Sequence, residues 1–164
     1  MEKLDVESRQ RRETFARYGL AMYHAQCVEK SLAILVSAVF NKEFLPCSPD
    51  SREHFFEEAF SKTVGSLLQL LRNHISVPPN LDLTLKKTLE KRNWLAHNYF
   101  WERAGEIVTT RGRENMIKEL TELSDYFSRI DEHLVSIYDK WAKKVGITPE
   151  TLEEHLIVLI KEDE

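Results

Sequence analysis

Glycine and proline are scarce in this chain, and this scarcity restricts the fold more than any other sequence feature. The 164 residues contain five glycines and five prolines, and four of the prolines fall in the short segments 46–49 and 78–79. Long stretches that lack both residues favour helices. No alternation of apolar and polar residues is long enough to indicate a strand. We therefore predict an all-α fold.

Apolar residues recur at helical spacing in five segments. The predicted helices cover residues 6–40, 52–74, 82–103, 113–145 and 149–161. Short links between the first four predict an antiparallel up-and-down four-helix bundle, and the fifth is an additional C-terminal helix. Gly146 suits the position after a helix, and Thr148–Pro149 suits the start of the next one. Residues 1–164 then form one domain.

Charge and motif content exclude several functional classes. The chain carries 23 Lys and Arg against 27 Asp and Glu, a net charge of −4. It is therefore not a globally basic nucleic-acid binder, and any such contact must come from a local patch. The glycine-rich phosphate loop, the dinucleotide fingerprint and the hydrolase nucleophile elbow are all missing from the sequence.

Cysteine content and the N-terminal residues indicate the cellular compartment. Two cysteines, Cys27 and Cys47, cannot make a disulfide framework. The N-terminal residues show no apolar segment of the kind that directs secretion. No apolar run reaches the roughly 20 residues that a membrane span needs. We expect a reduced, cytoplasmic protein that is not associated with a membrane.

Metal-binding patterns are weak. A di-iron site in a helical bundle needs Glu-x-x-His pairs, and none of the six histidines has a glutamate three residues before it. His24 and Cys27 stand three residues apart on the first predicted helix, but two ligands do not make a site. We expect no metal and no cofactor.

The segment 91–101, which reads Lys-Arg-Asn-Trp-Leu-Ala-His-Asn-Tyr-Phe-Trp, is the most informative part of the chain. On a helical wheel, Arg92 falls within the apolar stripe of the third predicted helix. A buried guanidinium is costly unless an anion or a carboxylate compensates it. One interpretation is an internal salt bridge, with Glu29 on the first helix as the candidate partner and His97 as a half-buried structural histidine.

The other interpretation is a phosphate site made of Arg92, Asn93 and His97. An arginine offers a planar, permanently charged fork for phosphoryl oxygens. A histidine titrates near neutral pH, so it can take a proton from a hydroxyl or give one to a leaving group. Asn93 can orient either group. Such a set suits RNA cleavage without a metal, in which the ribose 2′-hydroxyl attacks the adjacent phosphorus.

The pattern Arg-Asn-x-x-x-His-x-Tyr on the third helix of a small all-α chain resembles the HEPN superfamily (higher eukaryotes and prokaryotes nucleotide-binding). Its toxin branch uses Arg-x4-His-x-Tyr, which Arg92, His97 and Tyr99 match. Arg17 and His24 fit a looser spacing, but they lie on the first helix and lack the polar residue after the arginine. The resemblance covers roughly residues 15–141 and leaves the last helix unassigned.

The resemblance implies an activity and a mode of control. It implies a metal-independent endoribonuclease, a toxin or antiphage defence component, with Arg92, Asn93 and His97 as catalytic residues. It implies a homodimer whose motif helices face each other across one cleft. It also implies that a nucleotidyltransferase-type antitoxin adenylylates Tyr99, whose hydroxyl we expect at the edge of that cleft.

Local charge is compatible with RNA as the partner. Residues 86–113 hold seven basic and three acidic side chains. The expected RNA-contacting residues among them are Lys86, Lys87, Lys91 and Arg103. Trp94 and Trp101 fall on the opposite side of the helix from the apolar stripe, where we expect packing on the fifth predicted helix, with surface anchoring as the alternative.

Two other functional hypotheses stay open from the sequence. One is a catalytically inactive HEPN-like helical module that binds a nucleotide or a protein partner. The other is a helical bundle without a phosphate site, in which Arg92 is structural.

Overall fold

The computed structural model describes residues 5–40, 64–74 and 77–146. These ranges contain five helices and no strand, so the all-α prediction is confirmed for them. The helices are α1 (Val6–Phe40), α2 (Val64–His74), α3 (Pro79–His97), the single-turn α4 (Tyr99–Glu102) and α5 (Thr110–Val145). The predicted C-terminal helix at 149–161, the first part of the predicted helix 52–74 and Cys47 lie outside the described residues.

Several of the predicted helix ends are confirmed, and others differ. α1 begins and ends at the predicted residues. α5 begins three residues earlier than predicted and ends at Val145 as predicted, just before Gly146, whose φ of 81° is the left-handed conformation that glycine adopts most easily. α3 starts three residues earlier than predicted because Pro79 occupies its first turn, where a missing N–H costs nothing. It also ends at His97, six residues before the predicted end.

The long helices α1 and α5 lie side by side and form most of the core. Gln10 donates a hydrogen bond to Glu114 (3.3 Å), and Ser31 donates one to Asp131 (2.5 Å). Both residue numbers rise together, so the two helices run in the same direction. The strict alternation of an up-and-down bundle would make its first and last helices antiparallel, so that part of the prediction does not describe this pair.

The core is apolar and draws on α1, α2, α3 and α5. Its fully buried aliphatic and aromatic side chains stabilise the fold by removing apolar surface from water. They include Ala21, Ala25, Leu32, Leu67, Leu71, Leu85, Leu95, Met116, Leu120 and Phe127.

α3 is held between the two long helices and runs opposite to α5. Thr88 shares a hydrogen bond with Tyr126 of α5 (2.9 Å), and the hydroxyl of Tyr99, just after α3, donates to the Met116 carbonyl (3.4 Å). On the other side, the hydroxyl of Tyr18 on α1 donates to the Leu95 carbonyl (3.3 Å). These contacts fix the orientation of the helix that carries the Arg-x4-His motif.

The turn between α4 and α5 is anchored by Arg113, which is 2% exposed. Its Nε donates to Gln10 Oε1 (3.0 Å), and its Nη1 donates to the Ile107 carbonyl (3.0 Å). Thr109 caps α5 by accepting a hydrogen bond from the Gly112 amide (3.0 Å). The turn is therefore tied to both long helices.

Candidate functional site

The three residues predicted to carry the chemistry all lie in the last two turns of α3. Asn93 and His97 are four residues apart, and both are exposed. Arg92 is only partly exposed and reaches toward α1. At about 100° per residue, Arg92 and His97 leave the helix roughly 140° apart, with Asn93 between them. His97 is thus a surface residue, in contrast to the half-buried histidine of the salt-bridge interpretation.

Arg92 forms an ion pair with Glu29, the internal partner that the sequence offered for it. Its Nε donates to Glu29 Oε1, and its Nη1 donates to Asn93 Oδ1 (3.2 Å). The two charged side chains are 30% and 23% exposed, so water screens their attraction less than it screens a surface pair. The guanidinium therefore carries its compensating charge within the chain, and a bound anion would share it with Glu29.

Tyr99 lies in the core and is 1% exposed. It follows Arg92 by seven residues, which is two helical turns, so helical spacing places it on the apolar side of α3. Asn98 has φ −121° and ψ −18°, but the hydrogen bonds from the Asn98 amide to the Trp94 carbonyl (2.9 Å) and from the Glu102 amide to the Asn98 carbonyl (2.9 Å) continue the helical pattern across it. The expectation that the Tyr99 hydroxyl lies at a cleft edge is wrong.

The surroundings of Tyr99 keep its hydroxyl protonated. Its ring lies 5.2 Å from the ring of Trp94 and 6.0 Å from that of Tyr18, centroid to centroid. Burial, and after it the carboxylate of Glu119, raise the pKa of Tyr99 well above its ordinary value, because both disfavour the phenolate. The hydroxyl is therefore a neutral donor at physiological pH.

Arg103 was expected to contact RNA, but it is bound within the chain. Its Nε and Nη2 donate to the two carboxylate oxygens of Glu119 (2.9 and 2.7 Å), and Glu106 lies 3.5 Å away. Its guanidinium also lies 5.4 Å from the Trp94 ring centroid. This bidentate pair compensates the charge of Arg103 and connects the segment after α4 to α5.

The three lysines predicted to contact RNA are exposed on α3. Lys86 precedes Asn93 by seven residues, which is two helical turns, so it shares the exposed side of Asn93 and His97. The Nζ of Lys91 lies 5.3 Å from the ring centroid of Tyr126. Of the predicted cations, Lys86 is the one aligned with His97.

Trp94 and Trp101, on either side of His97 in the sequence, have different environments, which the sequence did not distinguish. Trp94 is partly buried, and its Nε1 donates to Glu102 (2.9 Å). Trp101 is 85% exposed. Packing on the predicted C-terminal helix was expected for both, with surface anchoring as the alternative, and that helix lies outside the described residues. The position of Trp101 four residues after His97 is the sequence signal that could have placed it on the exposed side of the motif.

The described residues also bear on metal binding and on membrane spanning. In the described ranges, no three His, Cys, Asp or Glu side chains come close enough together to hold a metal ion. His24 and Cys27 are both partly buried on α1. Among the helices described, none has both the length and the apolar character needed to cross a membrane.

Neither a protein-family model, nor a curated protein, nor a solved structure matches this chain.

Proposed function

We propose that this chain is a metal-independent endoribonuclease of HEPN type that acts as a toxin or antiphage defence component. The observation that carries the proposal is the contact between Arg92 Nη1 and Asn93 Oδ1 (3.2 Å) beside the exposed His97. Through that contact, the guanidinium reaches round the helix toward the side that His97 occupies. A phosphate can then be approached by a fixed positive charge and by a titratable imidazole.

The reaction we propose is an internal transesterification. The ribose 2′-oxygen bonds to the adjacent phosphorus and loses its proton to a base, while the bond from phosphorus to the 5′-oxygen breaks and that oxygen gains a proton. His97 serves as the base or as the acid. Arg92 stabilises the negative charge that builds on the phosphoryl oxygens. The products carry a 2′,3′-cyclic phosphate and a 5′-hydroxyl.

One arrangement of donors supports this role for Arg92 despite its pairing. Glu29 accepts from Nε, and Asn93 accepts from Nη1. These two contacts engage one edge and one amino group of the guanidinium, and in the proposed mechanism Nη2 donates to a phosphoryl oxygen. Glu29 then orients the guanidinium of Arg92 and does not withdraw it from phosphate binding.

The proposal includes the arrangement of the whole chain and a second copy of it. We keep a four-helix bundle with an added C-terminal helix, in which α1 and α5 run parallel instead of alternating. One His97 per chain supplies one proton-transfer group, and a homodimer brings two to a shared cleft. Sedimentation at micromolar concentration should then give twice 19.3 kDa.

Regulation through Tyr99 by a nucleotidyltransferase-type antitoxin stays a prediction, and the fold adds a condition to it. Because the hydroxyl is buried against the Met116 carbonyl, the segment after α3 must open locally before a nucleotide can be transferred to it.

The test is cleavage of single-stranded RNA by the purified chain in the presence of EDTA. We expect cleavage to persist and the products to carry 2′,3′-cyclic phosphate ends. Cleavage that EDTA abolishes, or products with 3′-hydroxyl ends, would contradict this mechanism.

A second function is favoured by the ion pair itself. Because Glu29 compensates the charge of Arg92, the same fold suits a catalytically inactive HEPN-like module that binds a nucleotide or a protein partner. In that case RNA stays intact at every protein concentration, whether or not EDTA is present. A purely structural Arg92 would additionally leave RNA unbound.

A further inference from the structure

Trp101 is the most exposed of the large apolar side chains described, at 85%. The other tryptophans in the described ranges, Trp94 and Trp141, are partly buried. An indole that stays in water gives up the stabilisation that burial of its apolar surface would provide. Packing against the described residues therefore does not explain its position.

The way α4 is held explains why Trp101 faces outward. Of its four residues, Tyr99 is buried, and Phe100 packs 4.7 Å from the Tyr18 ring, centroid to centroid. Glu102 accepts the hydrogen bond from Trp94. With these three side chains engaged, the single turn is fixed, and the indole is presented from a rigid support.

The exposed residues of α3 that helical spacing places on the side of Trp101 nearest the motif are polar. His97 precedes it by four residues, and Asn93, Glu90 and Lys86 continue the same side of α3. A protein partner that buries an apolar patch would need contiguous apolar neighbours, whereas a single ring among polar and basic groups suits a nucleobase beside its phosphates. Lys87 and Lys91, also exposed, add positive charge on this helix.

We propose that Trp101 is a stacking platform for one base of single-stranded RNA next to the phosphate at His97. This inference rests on the proposed function and deepens it, because it names the side chain that holds an unpaired base. A base can stack on the indole only when its face is free, so paired RNA is excluded at this position. Stacking is sequence-tolerant, so we expect a preference for unpaired RNA rather than for one sequence.

The experiment measures binding separately from cleavage. The probes are a fluorescein-labelled ten-nucleotide 2′-O-methyl oligouridine, which lacks the attacking hydroxyl, and the same strand paired with its complement. Fluorescence anisotropy with the full chain should give tighter binding to the single strand. Trp101→Ala should weaken that binding by about 5- to 150-fold, the range measured for loss of one base–aromatic stack.

Two further variants complete the test. Trp101→Phe keeps an aromatic face and should retain most of the affinity. Leu83→Ala removes another exposed apolar side chain of α3, which is 52% exposed, and should leave the affinity unchanged. Because Trp101 and Leu83 are both exposed, thermal unfolding should show that neither alanine variant loses its fold.

Several results would overturn the proposal. These are no binding of the single strand by the wild-type chain, equal binding of single-stranded and paired RNA, and unchanged affinity in Trp101→Ala. Dissociation of a wild-type dimer into monomers in Trp101→Ala would assign the indole to an interface between copies, and would also overturn it.

Failure of the proposed function would give a different set of results from failure of the stacking platform. If unmodified RNA is never cleaved while single-strand binding still depends on Trp101, the stacking platform stands and the nuclease activity does not. If RNA is cleaved and Trp101→Ala binds normally, the nuclease activity stands and the platform does not.

Discussion

Arg92 of α3 and Glu29 of α1 are 63 residues apart in sequence and form an ion pair that connects the two helices. This contact bears on both sequence-based interpretations of Arg92, the internal salt bridge and the phosphate site. The guanidinium has its internal partner, and it still reaches Asn93 on the side of His97. Substitution of the carboxylate separates a structural role of Arg92 from a phosphate-binding one.

Glu29→Gln should raise the affinity for 2′-O-methyl RNA roughly fivefold. This change corresponds to about 1 kcal/mol, the contribution of one partly screened charge contact. The physical reason is that the phosphate no longer competes with a carboxylate for Arg92. Anisotropy titration measures the effect. Glu13→Gln is the matched control, because Glu13 pairs with Arg17 on the same helix (2.6 Å). Unchanged affinity together with a lower unfolding free energy would show that Arg92 only joins the helices.

His97→Ala should lower the rate of RNA cleavage by about 10²–10⁴, the usual effect of losing an acid–base group. Arg92→Ala should lower it by about 10²–10³, because one preorganised charge donor is lost. Rates are measured with a labelled RNA under single-turnover conditions. The other arginine and histidine at similar spacing, Arg17 and His24, supply the controls, and their alanine variants should cleave normally. Full activity in folded His97→Ala and Arg92→Ala would refute the site.

Tyr99→Phe should change the alkaline stability of the protein. The folded state raises the pKa of Tyr99 above its ordinary 10.0, so at higher pH the unfolded chain loses a proton that the folded chain keeps. The free energy of unfolding therefore falls as pH rises above about 10, and this part of the fall should vanish in Tyr99→Phe.

Urea unfolding between pH 8 and pH 11 measures this change. At pH 8 the variant should lose about 1 kcal/mol, the contribution of the hydrogen bond to the Met116 carbonyl. Cleavage of RNA should persist, because the hydroxyl lies in the core. The same pH dependence in variant and wild type would contradict the placement of Tyr99.

Gly112→Ala should destabilise the fold by about 1–3 kcal/mol, because an added methyl group forces packed atoms apart. A Cβ at this position would lie 2.1 Å from the Glu106 carbonyl oxygen in the turn that precedes α5. Gly19→Ala is the matched control. No atom lies within 4 Å of a Cβ there, so alanine should stabilise α1 by about 0.5–1 kcal/mol. Thermal unfolding measures both, and shifts of the same sign would contradict the close approach at Gly112.

The sequence by itself determined the fold class and the need of Arg92 for a partner. Few glycines and prolines leave little alternative to helices, and helical periodicity places Arg92 on the apolar stripe whatever the packing. It also pointed to Glu29, because a charge on the inner side of α1 was the available counter-charge.

The tertiary structure alone decided which side chains at the end of α3 and just after it are buried, paired or exposed. Periodicity places Tyr99 on the same side of the helix as Arg92, but only the packing of α5, whose Met116 carbonyl accepts from the Tyr99 hydroxyl, puts that position in the core and not at the edge of a cleft. Arg103 forms an ion pair with Glu119 on another helix, and Trp101 is exposed to solvent. Which carboxylate meets which cation depends on how distant helices pack, and local sequence spacing does not carry that information.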